Sequence, residues 1–211
     1  MVVAEFVKHY PRLYHMAEAG TWPSIQRHGL LSTSALLDLF EIKGQQRDSI
    51  ELQRRPASVR IQHPKRGQAV IRDQRPISDV KLRQALQGGL TPSDWYRLLN
   101  VMVFFWTELD RLNRLLGGRW YRGRDHTVLT VDSRKLLLAH ADDVMLCHIN
   151  SGAMPYGPTP RGSSTFVPFA EWSGGVGPRS GKLKASIVET AVRYAIPDIA
   201  DMVVDVTERR G

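Results

Sequence analysis

Apolar residues along the chain come in short runs whose spacing is helical in the first half and alternating or continuous in the second. The first legible unit, Leu13-Tyr14-His15, reads as a short extended segment. Thr21 then caps a short helix that tolerates Pro23 in its first turn and that Gly29 ends in the left-handed conformation. Ser34 is a good N-cap for a helix with Leu36, Leu37 and Phe40 on one face and Gly44 at its end. From Gln45 to Arg66 the chain is polar and basic, predicting a short helix and a connection before a strand around Ala69 to Arg72. Ser78 caps a helix that ends at Gly88-Gly89 and buries Val80, Leu82 and Leu86. Thr91-Pro92-Ser93-Asp94 is a complete helix start, with a capping hydroxyl, Pro at the first position and an acid facing the helix dipole.

The second half changes character. Val101 to Trp106 is an unbroken apolar run, the pattern of a buried central strand. A helix from Glu108 to Leu116 stops at Gly117-Gly118, followed by a strand at Thr127 to Val131, a helix capped by Ser133 and a strand at Val144 to Ile149. Two strands close the chain, Ser186 to Val192 and Met202 to Val206, around a turn at Pro197-Asp198. Gly, Pro and Ser crowd between Asn150 and Gly181, and a loop of that length inside a compact domain is functional or mobile. No internal repeat is visible. Helices early and strands late predict one α+β domain over 1–211, with 150–185 a loop region within it and a mixed or antiparallel sheet rather than a doubly wound one.

Composition narrows the class. With 211 residues, 42% hydrophobic and 24% charged, the chain is neither a stapled miniprotein nor a disordered one. A single cysteine, Cys147, forms no internal disulfide and no short-spaced zinc site, so the expectation is a reducing cytoplasm and no metal. Cys147 itself reads as a small buried hydrophobe. The run Val101 to Trp106 is too short to cross a bilayer, and Met1 to Tyr10 lacks the apolar core of a signal segment, so no membrane is expected. Lys plus Arg exceed Asp plus Glu by 29 to 21, a formal net charge of +8. An arginine-rich excess favours a polyanionic partner, nucleic acid or a phosphate-bearing ligand, although a merely soluble basic protein has the same balance.

The common signatures of nucleotide-binding and hydrolase sites are absent: no Gly-x-Gly-x-x-Gly, no Walker loop, no His-Glu-x-x-His, no Gly-x-Ser-x-Gly. What remains is a constellation. His15 sits in an apolar-aromatic segment, and Gly29-Leu30-Leu31-Ser32-Thr33 follows one short helix later. The central strand ends in Phe104-Phe105-Trp106, and Glu189 lies in the apolar strand Ile187 to Val192. A carboxylate there needs an ion-pair partner, for which Arg193 is available, or a chemical task. Arg72, at the end of an apolar strand, is the first choice for a pyrophosphate because its planar fork binds oxygens bidentately; Arg54, Arg55 and Arg75 are alternatives. The competing account pairs Arg72 with Asp73 or Asp79 at the surface, makes His15 a satisfied core histidine and assigns the three aromatics to packing.

In this order the residues resemble the ADP-ribosyltransferase fold, its diphtheria-toxin-like branch, and are most similar to the DarT-like DNA ADP-ribosyltransferase toxins and the RNA 2'-phosphotransferases. The resemblance is carried by His15 to Thr33 and by Ser186 to Val206. It implies a split β-sheet with flanking helices, whose cleft holds NAD as substrate. It implies that His15 fixes the NAD ribose and that Tyr14, Gly29, Leu30, Ser32 and Thr33 line the same pocket. Phe105 or Trp106, with Tyr121 a third candidate, would stack on nicotinamide. Glu189 and Arg72 would be the catalytic pair, Glu189 strengthening its bond to the ribose as positive charge develops on the sugar.

Arg179, Lys182 and Lys184, in the segment before Glu189, would meet the phosphates of the acceptor, helped by Arg122 and Arg124 beside Trp120 and Tyr121. The implied function is an NAD-dependent ADP-ribosyltransferase that modifies a nucleic-acid base, DNA before RNA, and releases nicotinamide. A toxin or anti-phage role, with an antitoxin or immunity protein as partner, is part of the same implication. The alternatives are an RNA 2'-phosphotransferase-like NAD enzyme and a catalytically silent nucleic-acid-binding module.

Overall fold

A computed structural model describes residues 2–154, 156–173 and 186–211. The elements run α1 (Val2–His9), β1 (Arg12–Glu18), α2 (Trp22–His28), β2 (Leu30–Leu31), α3 (Thr33–Leu39), α4 (Gly44–Glu51), β3 (Val59–His63) and β4 (Gly67–Ile71). They continue with α5 (Asp79–Ala85), α6 (Pro92–Asn100), β5 (Met102–Trp106), α7 (Leu109–Leu116), β6 (Asp125–Asp132), α8 (Ser133–His140) and β7 (Val144–Cys147). The last are β8 (Phe166–Pro168), β9 (Glu189–Arg193), β10 (Ala195–Ile196) and β11 (Val203–Arg210). The fold is α+β.

Seven strands form one sheet in the order β11-β6-β1-β5-β9-β7-β8, and every pairing in it is antiparallel. The expectation of a mixed or antiparallel sheet resolves to antiparallel. Its seam is between β1 and β5, which share one register pair, Tyr14 with Trp106. On either side the pairing is extensive, seven pairs for β1 with β6 and five for β5 with β9. The sheet therefore opens at its middle while each half stays hydrogen-bonded.

Alternation along the strands divides the apolar residues between the faces. Val103, Phe105, Val144, Leu146 and Val192 join Leu13, Leu129 and the inner residues of α1 and α8 in the main core. Met102, Met145, Cys147 and Ala191 point the other way, against Leu82 and Ala85 of α5 and Trp95 and Leu99 of α6. A separate small core of Leu37, Phe40, Ile50, Ile61 and Ile71 joins α3 and α4 to the β3–β4 hairpin.

Several local expectations are corrected. The cap of α3 is Ser32, whose hydroxyl accepts from Ala35 N at 3.1 Å; Ser34 lies inside the helix and donates instead to buried Glu51 and to Asn100 O. Gly44 opens α4 rather than closing α3, and the β3–β4 hairpin occupies the supposed connection. Thr21 makes no capping bond, its hydroxyl being donated to Glu18 O at 2.7 Å. Gly29 has φ 81 and ψ 172, a positive φ outside the left-handed helical region. Asp132 takes the capping role expected of Ser133. Val80 is 69% exposed because Leu82 and Ala85 form the inner face of α5. The Thr91 start is a full capping box, as read. Within the long loop, β8 pairs with β7, so part of that region belongs to the sheet.

Candidate functional site

A cavity of about 370 Å³ lies at the opening between β1 and β5, within the size range of small-molecule sites. Its walls come from β1, the α2–β2–α3 segment, β4 and the residues after it, the end of α6 with β5, the 150–153 turn and the start of β9. His15, Glu189 and Arg72 all reach it, from elements far apart in sequence.

His15 is half-buried on β1, where the strands diverge. Its Nδ1 is 2.8 Å from Phe104 O across the seam. A carbonyl only accepts, so Nδ1 carries the hydrogen and Nε2 is left as an acceptor. Burial lowers the imidazole pKa to about 4, against the raising effect of the Phe104 bond and with a smaller contribution from the charge of Arg72. The ring is neutral at neutral pH.

Glu189 opens β9, in register with Trp106 on one side and Cys147 on the other. It is 5% exposed, and Oε2 accepts the Ser151 N–H at 3.1 Å. Among the described residues it has no ion-pair partner, and Arg193, four residues on, is solvent-exposed. Burial raises its pKa to about 7, outweighing the Ser151 hydrogen bonds and the cations Arg161 and Arg111. The chain just before it is braced: Ile187 N donates to the Tyr10 hydroxyl at 2.9 Å, and the Thr107 hydroxyl donates to Ile187 O at 2.6 Å.

Arg72 follows β4. Its Nη1 donates to Ala17 O at 2.8 Å and to His126 Nδ1 at 3.2 Å, while the buried Nη2 has no partner among the described residues. The proposed surface pairing with Asp73 or Asp79 does not form. Asp73 is taken by the Tyr121 hydroxyl at 3.0 Å and Arg124 Nη1 at 3.1 Å, and Asp79 by the Tyr96 hydroxyl. An inward guanidinium with a spare N–H pair on a cavity wall is suited to an anionic oxygen.

Gly29, Leu30, Ser32, Thr33, Trp106 and Tyr121 also line the cavity. The Ser32 hydroxyl is already spent on its helix cap, which leaves Thr33 as the freer hydroxyl. Two expected contributors do not reach it. Phe105 alternates into the main core at 1% exposure, and Tyr14 turns to Leu112, Leu116 and Val128 beneath α7. Trp106 is the register partner of Tyr14 and packs on the same α7 cluster, yet it also lines the cavity, as does His15, whose ring lies 5.6 Å from that of Phe105. Tyr121 is buried, sits under Arg72 with 5.4 Å between guanidinium and ring centroid, and has its hydroxyl pushed up to about 12 by burial. That ring is occupied by cations on the protein side, so of the three expected aromatics Trp106 is the one left for a ligand, with Phe104 also on the cavity wall.

Of the expected nucleic-acid contacts, Arg124 is engaged with Asp73 and with the Tyr121 ring, whereas Arg122 is exposed. Arg179, Lys182 and Lys184 lie outside the described residues. Arg119 stacks over the exposed Trp120 ring at 4.2 Å, beside Arg122 in the chain.

Sequence reasoning missed two residues, Ser151 and Arg161, and placed a third, Arg55, only among the alternatives to Arg72. Arg55, ranked low, is buried against the cavity and holds the Arg72 carbonyl with Nε at 3.0 Å. Ser151 and Arg161 support Glu189 from the long loop. An arginine in the middle of a Gly/Pro-rich stretch is the signal available for Arg161.

Fold and site together define an α+β protein with a ligand cavity at the opening of an antiparallel sheet, furnished with a neutral imidazole, a buried carboxyl and an unpaired guanidinium edge. The chain belongs to DUF7002, a family of unknown function, whose match covers residues 11–203. That span takes in His15, Arg72, Ser151, Arg161 and Glu189. No curated protein and no solved structure gives a significant match. Among the described residues no helix is long and apolar enough to cross a membrane, and no cluster of His, Cys, Asp and Glu suits a metal ion.

Proposed function

We propose that the protein is an NAD-dependent ADP-ribosyltransferase that transfers ADP-ribose to a nucleic-acid base and releases nicotinamide. The observation that carries this reading is the convergence of His15, Arg72 and Glu189 on one cavity at the seam of the sheet. Each offers what the chemistry asks of its position. The free Nε2 of His15 accepts a ribose hydroxyl, its ring held by Phe104 O. The unpartnered Nη2 of Arg72, beneath the cavity wall, would donate to a phosphate oxygen. Glu189, as carboxylate, accepts from the ribose hydroxyl beside the bond that breaks, and this interaction strengthens as positive charge builds on the sugar. Trp106 supplies a flat apolar wall for the nicotinamide ring.

A nucleic-acid acceptor is supported by the net charge of +8 and by the exposed Arg119-Trp120 stack with Arg122, cations for phosphates beside a ring for a base. DNA is our first candidate, cytoplasm the setting, and a toxin with a cognate antitoxin the biological role in keeping with the resemblance.

The test incubates the purified chain with NAD labelled in the adenylate phosphate and with separate pools of single-stranded DNA, duplex DNA, RNA and cell protein. Label held by a nucleic-acid pool, and lost with Glu189→Gln, is the expected result. Label on protein alone moves the acceptor to a side chain. A released cyclic phosphate of ADP-ribose indicates the phosphotransferase, and no label with no free nicotinamide overturns the enzyme reading.

A further inference from the structure

Arg161 is 2% exposed, among the largest fully buried side chains, and has no carboxylate within ion-pair distance among the described residues. A buried cation without a counter-ion is costly unless its donors are all used. Its donors go to carbonyls: Nη1 to Ser151 O at 2.7 Å, Nη2 to Asn150 O at 3.4 Å and Nε to Thr159 O at 3.2 Å. The guanidinium also lies 5.5 Å from the Trp95 ring centroid. The decisive detail is which peptide it grips. Asn150 O and Ser151 N belong to one peptide unit. Its carbonyl faces the Arg161 guanidinium, and its N–H faces the Glu189 carboxylate. The peptide dipole is thereby aligned between a buried cation and a buried anion, each of which strengthens the bond to the other.

We infer that Arg161 is a positioning residue for Glu189, acting through the Asn150–Ser151 peptide to aim the carboxylate into the cavity and to favour its ionised form. The inference rests on Glu189 standing at the reacting centre, as in the reading above. The other groups facing Glu189 do not duplicate the role. Cys147, its neighbour on β7, has its thiol pushed up to about 12 by burial, so it is an uncharged neighbour at neutral pH. Arg111, on α7, is a weaker cationic influence than Arg161 and is bound to Glu108 at 3.1 Å.

The experiment follows Glu189 directly, by carbon NMR of glutamate-labelled full-length protein titrated through the neutral range, with Glu189→Gln to assign the signal. In the unmodified chain, the Ser151 amide and the Arg161 guanidinium resonances are expected to titrate with the Glu189 midpoint, near 7, and to stop doing so in Glu189→Gln. Arg161→Met is expected to raise the Glu189 midpoint by about one unit, the lower end of the effect of a neighbouring opposite charge. Arg161→Lys, which keeps the charge and loses the fork, falls between. Below the midpoint a one-unit rise leaves about tenfold less carboxylate, so nicotinamide release falls about tenfold in kcat with KM for NAD kept, and recovers at alkaline pH. A merely structural role predicts no such recovery. An unmoved midpoint in folded Arg161→Met overturns the inference. If that variant does not fold, guanidinium signals that ignore Glu189 in the unmodified chain overturn it equally. Failure of the ADP-ribosyltransferase reading leaves these NMR results intact and appears only as absent turnover.

Discussion

At the scale of single residues, half-buried His15 and buried Glu189 are titratable groups whose pKa values move toward each other's range, His15 down to about 4 and Glu189 up to about 7. Between these values both are mostly neutral. Activity that needs the carboxylate therefore rises as pH rises through about 7, and a rate profile without an acidic limb there would count against Glu189 as the charge stabiliser. Stability runs the other way for this group. Its folded pKa is above the unfolded value of 4.5, so folded protein binds more protons between 4.5 and about 7, and its contribution is lost as pH rises through that window. Glu189→Gln is accordingly expected to be more stable than the parent chain above neutrality, by about 3 kcal/mol, with the gain vanishing below the unfolded pKa. His15 has the opposite sign: its folded pKa is depressed, so stability is lost as pH falls from 6.5 toward about 4. Thermal melts of both single variants against pH separate the two. In kinetics His15→Ala should weaken NAD binding while Glu189→Gln lowers kcat, since one group positions and the other acts in the transition state.

At the scale of elements, the cavity wall depends on a two-pair contact, Leu30 with Ile196 and Leu31 with Ala195, that carries the Ser32 to Thr33 turn. Gly29 enters it at φ 81, and a Cβ there would stand 2.6 Å from Pro197 Cα and 2.8 Å from Ile196 O, both backbone atoms. Gly29→Ala is therefore expected to cost about 2 kcal/mol or more and to lower the melting temperature by about 4 to 8 °C. An unchanged melt with intact NAD binding would mean the β2–β10 contact does not set the pocket. The same stretch marks where sequence reading ran out. Thr91-Pro92-Ser93-Asp94 was legible because every capping bond is local. Ser34 reads locally as the cap of α3, but the distant partners Glu51 and Asn100 claim its hydroxyl, and Ser32 caps instead. Phe105 and Trp106 are alike in composition, and only register with β1 and β9 decides which one faces the cavity. Glu189 and His15 stood out because each is polar inside an apolar strand. Arg161 did not, since its burial is the product of tertiary contacts.

At the scale of the whole molecule, the cavity lies between two apolar cores, the seven-stranded sheet on one side and the small core of α3, α4 and the β3–β4 hairpin on the other. Arg55 and Arg72 link them: Arg72 leaves the hairpin to donate to Ala17 O on β1, and Arg55 ties the Arg72 carbonyl to Ile50 O and Asn100 Oδ1. These are hydrogen bonds to carbonyl and amide oxygens, with no carboxylate in ion-pair contact with either guanidinium among the described residues. A phosphate arriving at Nη2 would give Arg72 the anion it lacks and draw the two bodies together through one residue. Ligand binding should thus stabilise both, by about 2.7 kcal/mol at a hundredfold excess over Kd, and should slow amide exchange in β4 and at Gly29 to Thr33 together. NAD and ADP-ribose share the diphosphate and should both produce this protection, whereas nicotinamide alone should not. Arg72→Gln should remove it from the hairpin while the sheet strands β5 and β9 keep theirs. Protection confined to the sheet in the unmodified chain would mean that the hairpin is a bystander and that the phosphate is held elsewhere.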